Sequence, residues 1–133
     1  MKPEEIDLIK YRLQKAHNTL EDARHYYGSA TPASTVNRIY YALFYAVTAL
    51  LMTKGLSSAK HSGVRSLFNR EFVKQGAIDK DLGKFYSDMY DNRQESDYKD
   101  FVEFERAEVA LWIDKAENFI HVIEGVVVRI MSG

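Results

Sequence analysis

The sequence predicts an all-α fold: an antiparallel up-and-down bundle of four long helices plus one shorter helix, in a single domain over residues 1–133. Three observations lead there. Apolar residues recur at helical spacing along nearly the whole chain, with no alternating strand pattern, internal repeat or low-complexity tract. Only 2 Pro and 7 Gly occur, and most sit where a helix should start or stop. The stretch 37–52, Asn-Arg-Ile-Tyr-Tyr-Ala-Leu-Phe-Tyr-Ala-Val-Thr-Ala-Leu-Leu-Met, has almost no solvating charge. It reads as the central helix.

The first helix is expected to open at Pro3, a good first-turn residue, with Glu4 and Glu5 at the positive end of its dipole. Ile6, Ile9, Leu13, Ala16, Leu20 and Ala23 form its core stripe, and it should end near Tyr27, before Gly28. Thr31 caps the central helix, Pro32 opens it and Gly55 closes it. Read at 100° per residue, Tyr40, Leu43, Phe44, Val47, Leu50 and Leu51 share one side of that helix. Arg38, Tyr41, Ala42, Tyr45, Ala49 and Met52 share the other. Both faces need cover, from other helices or from a second copy of the chain. Tyrosines so placed bury their rings and need partners for their hydroxyls. A guanidinium there needs a carboxylate, a carbonyl or a phosphate.

A third helix is expected over residues 59–75, capped by Ser57 or Ser58 and stopped by Gly76, with His61, Arg65, Phe68 and Phe72 on one face. Asp79 caps a fourth, on which Leu82, Tyr86, Tyr90, Arg93 and Asp97 share a face. Residues 98–103 read as a loop. The last helix runs from about 104 to 130, turning Val109, Trp112, Ile113, Ala116, Phe119, Ile120, Ile123 and Val127 inward.

Composition narrows the function classes. Hydrophobic residues at 46% and charged residues at 28% are globular rather than disordered values. The absence of Cys excludes disulfides and thiolate chemistry. The N-terminus lacks the apolar run of a signal peptide, and the longest apolar run falls far short of the roughly 20 residues of a membrane span. The expectation is a cytoplasmic protein without membrane attachment. With 18 basic and 19 acidic residues no global field recruits nucleic acid, so any such binding must come from a local cluster.

Three helices supply such a cluster: Arg38 with Tyr41 and Tyr45, Arg65 with His61, and Arg93 with Tyr90 and Tyr98. Guanidinium forks bind oxyanions and phenol rings stack on bases. The alternative is internal pairing, since Asp97 lies one turn beyond Arg93 and Asp88 and Asp91 are close. His17, His25, His61 and His121 show no paired metal-ligand spacing, and Glu117 with His121 is one residue too long for a di-iron Glu-x-x-His pair. No metal or cofactor is expected. Neither a Gly-x-Ser-x-Gly elbow nor a Gly-rich phosphate loop is present.

The segment Asn-Arg-Ile-Tyr-Tyr-Ala-Leu-Phe-Tyr-Ala at 37–46 resembles the Ser/Asn-Arg-x-Tyr-Tyr-Ala-x-Phe signature of small HEPN-domain proteins. Lys-His-Ser-Gly-Val-Arg-Ser-Leu-Phe at 60–68 and Asn-Arg-Gln-Glu-Ser-Asp-Tyr at 92–98 resemble the next two blocks of that group, in order. The resemblance covers most of the chain, the first helix least. It implies an antiparallel helical bundle, commonly homodimeric, that associates with nucleotides or RNA. It also implies pairing with a minimal nucleotidyltransferase, often as a toxin–antitoxin couple. Many members cut RNA without metal through an Arg-x4-6-His motif on the late helix. Here that motif reads Arg93-x4-Tyr98, with no histidine before His121. Arg12-x4-His17 matches formally but lies on the first helix.

Three functional readings follow. In the first, a dimeric accessory module holds a nucleotide or RNA phosphate through Arg38, Tyr41, Tyr45, Arg65, Arg93 and Asp97, in cooperation with a nucleotidyltransferase. In the second, the chain is a metal-independent ribonuclease toxin: Arg93 stabilises the phosphorane charge and His61 or Tyr98 moves protons. In the third it is a structural interaction protein without ligand, its arginines paired internally.

Overall fold

A computed structural model describes residues 1–29, 31–98 and 103–133, and for Tyr98 the description stops at the backbone. Five α-helices follow in order: α1, Pro3–Tyr27; α2, Pro32–Met52; α3, His61–Phe68; α4, Lys80–Tyr98; and α5, Arg106–Ser132. A π-helical turn, Asn69–Val73, continues α3. Among the described residues there is no strand. The expected fold class holds: four long helices and one short one.

The helix starts follow the capping chemistry. Pro3 and Pro32 each open a helix, where a missing N–H costs nothing. The Thr31 hydroxyl accepts from the Ser34 backbone N–H at 3.2 Å, closing the first turn of α2. Gly55, with φ of 68°, ends the turn after α2, and Gly76, with φ of 84°, ends the π turn. Asp79 starts α4 through its carbonyl, which accepts from the Leu82 and Gly83 N–H groups.

Several boundaries differ from expectation, and α5 starts at Arg106 rather than near 104. Ser58 does not cap α3; its hydroxyl accepts from the Lys60 N–H, folding the loop one turn earlier. Nor is 59–75 one regular helix, because Lys74 donates to the Asn69 carbonyl at 2.8 Å across a π turn. Gly83 permits the neighbouring helix to approach here: a Cβ on it would lie 2.9 Å from both methyls of Val73. Of the expected loop 98–103, Tyr98 closes α4, Glu103 is irregular, and 99–102 lie outside the described residues.

Helix α2 is the axis of the bundle. It packs against α1, α5, α4 and α3, and Val36, Ile39, Tyr40, Ala42, Leu43, Ala46, Val47, Ala49 and Leu50 are wholly buried. Both of its faces are thus covered largely from within the chain, and the small Ala42 and Ala49 allow the close approach of neighbouring helices. The stripes expected on α1 and α5 point inward: Ile9, Ala16, Ala23, Ala116, Phe119, Ile120 and Ile123 are fully buried. Phe68, Tyr86 and Phe119 link α3, α4 and α5 through ring contacts of 5.4 to 6.0 Å. Among the described residues no helix is long and apolar enough to cross a membrane.

Candidate functional site

The site grows out of the N-terminal half of α2. Asn37, Arg38, Tyr40 and Tyr41 follow one another there, so helical rotation splits them between core and rim. Tyr40 goes inward and is fully buried; Arg38 and Tyr41 stay half-buried at the edge. Arg93, three turns along α4, reaches back over α2 with its guanidinium carbon 5.2 Å from the Tyr40 ring centre and 5.4 Å from that of Tyr41. Arg38 approaches the Tyr41 ring to 5.5 Å. Two guanidinium groups from two helices therefore share one phenol ring, each within cation–π range.

His61, the first residue of α3, completes the cluster. Its ring stacks on Phe44 at 4.4 Å and 14°, and meets Tyr41 edge-on at 5.7 Å. A 2.8 Å hydrogen bond joins its Nδ1 to the Tyr40 hydroxyl. Burial, with Arg93 adding to it, holds the His61 pKa below the ordinary 6.5, so the imidazole is neutral at physiological pH. Burial also pushes the Tyr40 phenol up to about 12, so it keeps its proton. Tyr86 lies within electrostatic reach behind it, its pKa also raised by burial, and its hydroxyl makes no hydrogen bond of good geometry among the described residues.

The arginines are not equivalent. Arg93 donates through Nε to Asp97 at 3.0 Å, one turn on, with side chains 15% and 37% exposed. Arg65 lies 4.1 Å above the Tyr90 ring and reaches Asp91 at 3.4 Å. Internal pairing therefore describes both in part. Arg38 donates through Nε and a terminal nitrogen to the Asn37 amide oxygen, at 3.3 and 2.9 Å. It has no carboxylate partner among the described residues. Among the described residues its guanidinium is hydrogen-bonded at the rim by that amide oxygen alone.

Beside Arg38 lies a hollow of about 350 Å³. Ser34, Asn37 and Arg38 of α2 face Ser96 and Asp97 of α4 across it, and Tyr26 of α1 closes one end. At that volume it is at the small end of ligand pockets. A larger hollow, between α4 and α5, shares no lining residue with it.

The structure thus brings together Arg38, Tyr41, Arg93, Asp97 and His61. Arg65 stands one ring further off, with Tyr90 between it and Tyr40 at 6.1 Å. Tyr45 touches Tyr41 at 6.1 Å, but its face is taken by the Lys15 ammonium at 4.5 Å, so it turns toward α1. The Tyr98 side chain lies outside the described residues. Sequence reasoning missed Ser34 and Ser96, which line the hollow, and treated Tyr40 as core alone. The available signal was adjacency: Ser34 lies one turn before Arg38, and Ser96 precedes Asp97. Among the described residues no group of three or more His, Asp or Glu is placed to hold a metal ion.

Two arginines and a neutral histidine thus gather on the buried Tyr40 and the half-buried Tyr41 within an all-helical bundle. The chain belongs to the HEPN family: the HEPN domain matches residues 9–126. It is 51% identical over 121 residues to a UPF0332 protein of Thermotoga maritima, covering 91% of this chain and 92% of that one. A Methanocaldococcus jannaschii protein named "Putative toxin MJ0142" is 36% identical over 109 residues, which is 82% of this chain and 74% of that one. A UPF0332 protein of Archaeoglobus fulgidus is 28% identical over 123 residues, 87% of this chain and 98% of the other.

Proposed function

We propose that this chain is a dimeric, cytoplasmic HEPN module that holds a nucleotide or RNA phosphate at the Arg38–Tyr41–Arg93 cluster and works with a nucleotidyltransferase partner in a toxin–antitoxin couple. One observation carries the binding part: Arg38 and Arg93 share the Tyr41 ring beside a polar hollow, and Arg38 has no carboxylate partner among the described residues. An incoming phosphate would fill the vacant coordination of Arg38 and compete with Asp97 for Arg93. Tyr41 would hold both guanidinium groups in place and offer an edge to a base. The partner and the toxin role rest on family membership and on the name of the M. jannaschii relative.

The test of binding is fluorescence anisotropy with a labelled RNA oligonucleotide and competition by ATP, comparing the wild type with Arg38→Ala. Saturable, salt-sensitive binding that weakens in the variant is expected. No binding of either ligand by the wild type would sink the reading. Dimerisation is read separately, by light scattering at micromolar concentration. The expected mass is twice the 15.4 kDa of the chain, and a clean monomer would remove the dimer from the proposal.

A second reading has a specific observation behind it. His61 and Arg93, from separate elements, meet at the same pair of tyrosines. In a metal-independent ribonuclease, Arg93 would stabilise charge on the phosphorane while neutral His61 takes the 2′-hydroxyl proton. Single-turnover cleavage of labelled RNA in excess chelator separates the two readings. Binding without cleavage is expected for the accessory module. For the enzyme, cleavage persists in chelator, is lost in His61→Gln, and slows only as pH falls below 6.5, where His61 gains its proton.

A further inference from the structure

The bundle is open along one edge. Helices α1, α2 and α5 pack closely on each other, and α4 packs on α2, but the α4 and α5 backbones barely approach one another among the described residues. Only side chains bridge the gap at depth: Tyr86 stacks on Phe119 at 6.0 Å and Phe85 meets it at 6.3 Å. Above them runs a groove of about 940 Å³. On α4 its wall recurs at Asp81, Phe85, Asp88 and Asn92, a stripe of three turns, about 16 Å at the helical rise. The opposite wall is Trp112, Lys115 and Asn118 of α5. This is the seat that another helix occupies in a closed bundle.

Its chemistry says what kind of helix. Leu82, Phe85, Met89 and Trp112 give an apolar floor. Four aspartates line the rim, Asp81, Asp88, Asp91 and Asp114, against two lysines, Lys84 and Lys115. Lys84 is already bound to Asp88 at 2.8 Å, and Arg65 reaches Asp91 at 3.4 Å. Asp81 and Asp114 sit on opposite walls, exposed and without an ion pair among the described residues. An apolar ridge flanked by cations on both sides matches this groove; an acidic or uniformly polar segment does not.

We propose that the α4–α5 groove is the docking site for a basic amphipathic helix of a partner protein, with its apolar ridge on Trp112 and Phe85 and its lysines or arginines against Asp81 and Asp114. The groove shares no lining residue with the Arg38 hollow, so a docked helix leaves that site open, and the proposal stands whether or not the chain binds phosphate.

Trp112 is the sole tryptophan of the chain, and it reports on the groove directly. The probe is a synthetic leucine–lysine peptide without aromatic residues, its leucines spaced i, i+3, i+4 and i+7. Titrating it into the intact protein should shift Trp112 emission to the blue while the peptide gains helicity. A scrambled peptide of the same composition should bind at least about tenfold more weakly. The Asp81→Asn/Asp114→Asn double variant removes both carboxylates without placing a cation at the start of α4, so its melting temperature should stay within a few degrees of the wild type while peptide affinity falls about tenfold or more. Failure of the emission to move, or equal binding of the scrambled peptide, overturns the proposal. So does an emission shift that follows protein concentration alone with a doubling of mass, which would give the groove to a second copy of the chain.

Discussion

Tyr40→Ala will lower unfolding free energy by about 3–5 kcal/mol, the range of large-to-small aromatic changes in a packed core. For a chain of this size that corresponds to a fall in melting temperature of roughly 10–20 °C. The ring is wholly buried and lies 5.3 to 6.1 Å from the rings of Tyr41, Phe44, Tyr86, Tyr90 and His61. Removing it takes a partner from three helices at once and leaves a void that the flanking α2 backbone cannot close. Arg93 also loses one of its two rings. Tyr40→Phe keeps the volume and forfeits only the bond to His61, so it should cost about 0.5–1.5 kcal/mol. Denaturant unfolding of the two variants side by side checks this. A loss below 1 kcal/mol for the alanine variant would mean that the aromatic cluster repacks, and that the site does not depend on a rigid floor.

The same residue shows what could and could not be read from the sequence. Periodicity placed Tyr40 on the core side of the central helix, and its ring is there. Periodicity reports the direction a side chain leaves the helix, however, and not where its far end arrives. The hydroxyl emerges next to His61, which made Tyr40 part of the site as well as of the core. Arg65 illustrates the converse. It shares a helix face with His61, but the two side chains diverge, and Arg65 settles on Tyr90 and Asp91. Distances across helices are set by packing, which one helix face does not encode. The starts of α1 and α2 were legible because Pro3, Thr31 and Pro32 act locally. The π turn was not, because Phe68 and Phe72 keep the four-residue spacing of an ordinary helix and both end up buried. The open edge between α4 and α5 was equally invisible: Asp81, Asp88 and Asp114 look like a solvated face until the sparse approach of the two backbones among the described residues is seen.

Arg93→Ala will leave the fold nearly intact and remove most of the phosphate affinity. The sequence alone offered a sharper alternative, in which Arg93 is buried against Asp97 and its loss strands a carboxylate at a cost of about 3–5 kcal/mol. The geometry removes that premise, because Asp97 is 37% exposed and can be hydrated once its partner is gone. What remains is an i,i+4 pair worth about 0.3–0.5 kcal/mol and ring contacts worth about 0.5–1 kcal/mol. A stability loss on the order of 1 kcal/mol follows, a few degrees in melting temperature and far less than for Tyr40→Ala. A guanidinium hydrogen bond to phosphate is worth about 1.5–3 kcal/mol, so RNA or nucleotide affinity should fall by roughly 10- to 150-fold. Asp97→Asn separates the two roles of the pair. It removes the carboxylate that competes with phosphate for Arg93, so binding should tighten while stability changes little. Anisotropy titrations and melts on these variants decide the matter. A melting loss in Arg93→Ala as large as that of Tyr40→Ala, with phosphate ligands bound as well as before, would make Arg93 a structural residue and leave the binding to Arg38.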